Sequence, residues 1–257
     1  MTVFVGTARD DSARVEIGRV SIFRPFTWLG RGASDLVHSG MASLAHGLLM
    51  ALIGWALLLT LGRHPYFVVA AVSGFLLAAP VMTMGVIELS RRRAEVLPPR
   101  FDDSLAPLRS HRGPLLRFGL VLALLVLVWF AASEVMLRAV FDVQAPTLAE
   151  TYWGGFLDAA HRAQIIGYVA AGGLLALVVL AISVVTVPLI VDRDLGASEA
   201  IRASLRAVAA NPAAMLVWSA LIVAVTALGF ATLLAGMVVF IPWLGHATWH
   251  AYRDLVR

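Results

Sequence analysis

Two histidines stand four residues apart in the stretch Gly245-His246-Ala247-Thr248-Trp249-His250-Ala251-Tyr252-Arg253. Residues four apart share a helix face, so both imidazoles can be aimed at one metal ion or one haem. His46 lies in a separate apolar stretch at a similar depth by helix rise, with His38 two turns before it. His46, His246 and His250 could converge if those two stretches touch. The stretch lacks the carboxylate of the HExxH pattern, so metal-dependent hydrolysis is not indicated. The plainer alternative gives each histidine a carbonyl or a lipid headgroup as partner, with Trp249, Tyr252 and Arg253 as an interfacial anchor. Haem or metal is therefore a candidate cofactor that nothing in the sequence requires.

The other candidate is Glu134, in an apolar segment with Arg138 four residues on. An ionisable residue inside a span is a functional hypothesis by default. Yet Glu followed by Arg at i+4 is also the favourable order for a local ion pair. Other chemistry is excluded more firmly. The chain has no cysteine, which removes disulfides, thiolate zinc sites and thiol nucleophiles. No Walker loop, GxSxG elbow or dinucleotide fingerprint is present.

The elements that carry these residues are apolar to an unusual degree. Of 257 residues, 60% are hydrophobic and only 14% charged, and mean hydropathy is +0.85. A soluble domain is nearer half apolar and about a quarter charged; the excess calls for residues that face lipid. A span needs about 20 mostly apolar residues. Six stretches qualify: 41–61, 66–87, 115–136, 165–190, 213–234 and 236–252. The last two are joined without a charge. Together they are too long for one crossing at about 1.5 Å per residue, so a hairpin is expected near Ala235-Gly236. Pro80, Pro188 and Pro242 interrupt the second, fourth and sixth spans, which membrane helices tolerate when neighbours satisfy the freed carbonyl.

Every basic residue is arginine, and 17 of the 20 fall in the two termini and the second and fourth connections. Basic residues mark the cytoplasmic side, so both ends are expected there and an even number of crossings is required. The pI near 10.3 is accounted for by these flanking arginines, and no nucleic-acid partner is expected. Residues 1–23 are polar, mixed in charge and without an apolar signal region; they read as a tail before a single transmembrane domain, 24–257.

Residues 28–39 and 198–208 read as amphipathic helices lying in the interface. Ser198 is the expected N-cap of the second, and Asn211-Pro212 the start of the fifth span. Thr147-Leu148-Ala149-Glu150 has capping-box form, opening a short outer helix with Trp153, Phe156 and Leu157 on one face. Trp28, Trp153, Trp249, Tyr252 and Arg253 are the expected interfacial anchors. The fold expected is an all-α membrane bundle of six spans in three consecutive hairpins, with the amphipathic helices on the cytoplasmic side.

Four segments carry a family resemblance: Arg24 to Gly32, Ala71 to Leu77, Ala181 to Val185 and Gly245 to Arg253. They resemble a bacterial integral inner-membrane family catalogued only as a domain of unknown function. The resemblance implies a fold and a location, and no activity. The function expected is that of a non-enzymatic accessory or assembly subunit that binds another membrane complex. The alternatives are a small transporter or channel-like carrier, and a haem- or metal-binding protein built on the three histidines. Reporter fusions after Arg93, Asp158 and Arg257 are expected to read inside, outside and inside; an outside signal at Arg257 would reduce the last two spans to one crossing.

Overall fold

The structure is a computed structural model that describes residues 15–61, 79–140 and 162–257. Among these residues it is helical, with no strand beyond a single antiparallel bridge between Ile17 and Val256. The helices are α1 (Arg24–Ser39), α2 (Met41–Leu61), α3 (Met84–Ala94), the short α4 (Phe101–Ser104) and α5 (Ala106–Ser110), α6 (Arg112–Val140), α7 (Arg162–Ser183), α8 (Thr186–Arg193), α9 (Ala197–Ala210), α10 (Pro212–Ala231) and α11 (Met237–Leu255). Among the described residues, four segments are long and apolar enough to cross a membrane: Met41–Thr60, Arg112–Met136, Ile166–Arg193 and Pro212–Ala231. The expected second span falls largely outside the described residues. So does the expected outer helix with Thr147, Glu150, Trp153, Phe156 and Leu157.

The third of these, Ile166–Arg193, is not one straight helix. It breaks between Ser183 and Thr186. Pro188 cannot donate to the carbonyl four residues back, and the hydroxyls of Ser183 and Thr186 donate to the carbonyls of Val179 and Ile182, which bends a helix further. The hairpin expected near Ala235-Gly236 is present, as a turn over residues 232–236. Its left-handed residues are Leu233 and Leu234, at φ 52° and 69°. They are held there by amide bonds from Leu233 to Phe230 and from Leu234 to Gly229.

Helix α11 is the central element. It packs against α1, α2, α3, α8 and α10. It runs antiparallel to α2: Ser43 meets His246, Gly47 meets Val238, and Gly54 meets Leu234. A methyl group at Gly47 would stand 2.0 Å from the Val238 carbonyl oxygen, and one at Gly32 would stand 2.7 Å from the Ala247 nitrogen. Small residues at these crossings let the backbones touch. Trp28 of α1 and Trp218 of α10 meet edge-to-face, 5.7 Å apart, and both are fully buried.

Three expectations need correction. Residues 15–20 are a strap rather than a loose tail: Gly18 donates to the Leu255 carbonyl, and Arg257 to that of Glu16. Asn211 is the N-cap residue of α10 and Pro212 opens it, as expected, but the Asn211 side chain makes no cap bond and clamps this strap instead. Its amide Nδ2 donates to the carbonyls of Gly18 and Ala207, and its Oδ1 accepts from Val20. Ser198 lies inside α9, whose N-cap is Gly196.

Gly47→Ala should therefore cost about 1–3 kcal/mol or more through overpacking. Gly30→Ala, with open space around it, should be neutral or gain up to about 1 kcal/mol of helix propensity. Thermal unfolding in detergent measures both; equal effects would show that α2 and α11 do not meet at this distance.

Candidate functional site

Helix α1 buries Pro25, Trp28, Leu29, Gly32, Asp35 and Ser39. Positions 28, 32, 35 and 39 recur at the spacing of one helix face, so Asp35 is carried into the interior by its neighbours. It is only 4% exposed, and a buried carboxylate is costly unless several donors reach it. Three do. Arg93 Nη1 donates to Oδ1 at 2.6 Å; Ser90 Oγ and His250 Nε2 donate to Oδ2 at 2.6 Å and 3.0 Å. Burial alone would push the Asp35 carboxyl up; the hydrogen bonds from His250 and Ser90 outweigh it and hold the group below its ordinary value.

The network continues through a histidine whose tautomer follows from its partners. Ser90 has one proton, and the ionised Asp35 can only accept it. Ser90 Oγ must then accept from His246 Nδ1, 2.6 Å away. That leaves His246 Nε2 as the acceptor for the Ser43 hydroxyl at 2.8 Å. The chain of donors runs Ser43 to His246 to Ser90 to Asp35, and it ties α2, α11, α3 and α1 into one buried hub. His246 and Ser43 are fully buried.

A second polar joint closes the same end of the bundle. Asp254 accepts from Arg24 Nε at 2.6 Å and from Trp28 Nε1 at 2.8 Å, with Arg31 at 3.6 Å. Burial raises the Asp254 carboxyl, and the Arg24 and Trp28 hydrogen bonds bring it below its ordinary value. Tyr252 donates to Asp192 at 2.5 Å, and Glu88 receives two bonds of 2.7 Å from Arg91.

The expected histidine site is only partly assembled. His246 and His250 both join the Asp35 hub, and α2 does touch α11 as convergence required. His46 faces elsewhere: its Nδ1 donates to the Ala42 carbonyl at 2.9 Å, Nε2 lies 3.1 Å from Ser104 Oγ, and its ring packs on Phe101. Both ring nitrogens of His46 and of His246 are thus engaged by protein. Among the described residues, no three His, Asp or Glu side chains are set to hold one metal ion.

The anchor reading changes more. Trp28, Trp249 and Tyr252 are 0%, 2% and 1% exposed, so they are core residues rather than anchors at the membrane surface. The Arg253 guanidinium lies 5.8 Å from the Trp249 ring centre. Glu134 is half-buried on α6; the Arg138 side chain and Trp153 lie outside the described residues. Sequence reasoning missed Asp35, Ser43, Ser90 and Arg93 as a set. The 28/32/35/39 spacing was the available signal for Asp35. Ser43, Ser90 and Arg93 carry no local signal, because each is polar for reasons that only its distant partners supply.

Beside the hub lies a cavity of about 430 Å³ between residues 79–87, the α7–α8 break, α10 and α11. Its walls include Ile87, Val184, Trp218, Thr226, Phe240 and Leu244.

Residues 68–192 match the family described as "Predicted integral membrane protein (DUF2189)". The resemblance to an integral membrane family of unknown function is thereby found. The matched range holds the 71–77 and 181–185 segments, Ser90 and Arg93. Asp35, His246 and the 245–253 motif lie outside it. No curated protein and no solved structure matches the chain.

The hub gives a prediction with a defined sign. A carboxylate held below its ordinary value stabilises the fold above the ordinary carboxylate range, and that contribution disappears as pH falls through about 4 and below. Asp35→Ala should lower stability at neutral pH by roughly 1.5–3 kcal/mol, because charged donors lose their acceptor. It should also flatten the acid limb of the stability–pH profile. An Asp35→Ala profile parallel to wild type through the acid range would remove Asp35 from the hub.

Proposed function

We propose that the chain is a six-crossing, non-enzymatic protein of the bacterial inner membrane, with both termini cytoplasmic, acting as an accessory or assembly subunit of another membrane complex. Several contacts support six crossings. The Ile17–Val256 bridge keeps the two ends on one side. Ser43 at the start of α2 and Ser90 near the end of α3 both bond His246, so the chain leaves the hub along α2 and returns to it. Asn211, beside Gly18, begins α10, and Leu255, also bonded to Gly18, ends α11. α11 packs along the first half of α2, from Ser43 to beyond Gly47, and its polar residues suit a helix surrounded by protein instead of lipid. The arginine excess on the hub side supports a cytoplasmic orientation.

The observation that carries the accessory reading is a contrast between interior and exterior. The hub's polar groups bond one another: Asp35, Ser43, Ser90 and His246 are all buried and partnered within the protein. The outward face of α6 is an unbroken apolar stripe: Leu116, Leu120, Leu124 and Leu127 are 65%, 61%, 61% and 65% exposed at spacings of four, four and three. Phe26, Val37 and Met41 add exposed apolar groups at the hub end, outside the hydrocarbon-length segments or at their edge. A carrier reading is favoured by a different observation: helices interrupted at Thr83 and at Val184-Val185, with Pro242 inside the continuous α11, surround one cavity, as broken helices do in many transporters.

Purification in mild detergent should yield a defined second membrane protein in fixed ratio. Replacing Leu116, Leu120, Leu124 and Leu127 by alanine should release it without altering the thermal midpoint of the isolated chain. A homogeneous preparation of this chain alone, under conditions that keep other membrane complexes intact, would overturn the accessory reading.

A further inference from the structure

We infer that the cavity between α3, the α7–α8 break, α10 and α11 is a binding site for a single hydrocarbon chain of a bilayer lipid. Two of its walls lie within segments of membrane-crossing length: residues 179–188 belong to Ile166–Arg193, and 218–230 to Pro212–Ala231. The cavity is thus placed at bilayer depth. Its volume of about 430 Å³ falls within the range of sites that hold small organic ligands, about 300–1,000 Å³.

The shape narrows the occupant. The wall runs from Trp218 to Phe230 on α10 and from Met237 to Thr248 on α11. At about 1.5 Å per residue these stretches are roughly 16–18 Å long. That is close to one leaflet's share, roughly 15 Å, of a hydrocarbon core about 30 Å thick.

The chemistry narrows it further. The hydroxyls of Thr83, Ser183 and Thr248 donate to the carbonyls of Pro80, Val179 and Leu244 in their own helices. They present methyl and methylene groups to the cavity. Among the described residues no Asp, Glu, Arg or His lines it, so a charged headgroup meets no counter-ion from them. An acyl chain is long, thin and wholly apolar, and it matches such a predominantly apolar wall at small desolvation cost. The interruptions at Thr83 and between α7 and α8 account for the space: a broken helix cannot pack its neighbours at uniform distance. The inference is independent of the accessory reading, since a chain that binds no protein partner can still hold a lipid tail.

The test uses the full-length protein in vesicles of phosphatidylethanolamine and phosphatidylglycerol. The probe is a phospholipid with a photoreactive diazirine midway along one acyl chain. After illumination, adducts are expected on Ile222, Thr226 and Leu244, saturating at one probe per protein. Probes with ethanolamine, glycerol and choline headgroups should label these residues equally. Thr226→Trp should lower the lining adducts several-fold and leave those on Leu116 and Leu120 of α6 unchanged. Thr226→Val should label as wild type does.

Adducts confined to the outward leucines would overturn the site, because they report only surrounding lipid. Lining adducts that depend on the headgroup, or that Thr226→Val removes, would overturn the claim that the chain alone is recognised. The wild-type adduct map and its saturation decide the matter even where Thr226→Trp does not fold.

Discussion

A carboxylate with 4% of its surface exposed sits at the junction of four helices, and most of the architecture can be traced to keeping it satisfied. Asp35 enters the interior because it shares a face with Trp28 and Gly32. Once there, it imposes conditions on residues 55 to 215 positions away: Ser90, Arg93 and His250 must all arrive. Ser90 in turn fixes the tautomer of His246, and His246 fixes the position of Ser43. Removing one partner from such a set is more damaging than its share of the bonds would indicate, because the group left behind is buried and unpaired.

The hub explains why α11 differs from the other long helices. A helix that touches lipid must be apolar around its circumference. α11 touches protein on most sides and can carry His246, Trp249, His250 and Tyr252. Its close approach to α1 and α2 depends on Gly32 and Gly47, where a side chain would meet backbone. Close approach and buried hydrogen bonding reinforce each other here: short interhelical distances bring serine hydroxyls within reach of an imidazole. The helices farther from the hub, α6 above all, have no such demand and present leucines outward.

The same bundle contains a region where packing is deliberately incomplete. The α7–α8 break, the turn at Thr83 and Pro242 in α11 lie around one apolar cavity. Interrupted helices require local partners for their freed carbonyls, and threonine and serine hydroxyls supply them. The polar groups of the hub are thus engaged inside the protein, while the cavity beside them is lined mostly by apolar side chains.

The membrane character, the helical class and the positions of most long helices were legible in the sequence, because lipid solvation is a local requirement on roughly 20 consecutive residues. Proline and chain-reversal positions were legible for a similar reason: Pro188 and the 232–236 turn act through backbone geometry within a few residues. The arginine distribution marked one end of the bundle, since charge beside a span is also a local feature. The roles of the polar residues were not legible. Trp28, Trp249 and Tyr252 have the composition of surface anchors and are core. Asn211 stands at the cap position expected of it, but its side chain is a clamp on a strap nearly 200 positions away. His246 and His250 share a helix face, as their spacing required, and their hydrogen-bond partners are Ser43, Ser90 and Asp35. Spacing determines which side chains point the same way. Only the tertiary structure decides what they meet, because burial and hydrogen-bond partners are set by segments that are distant in sequence and adjacent in space.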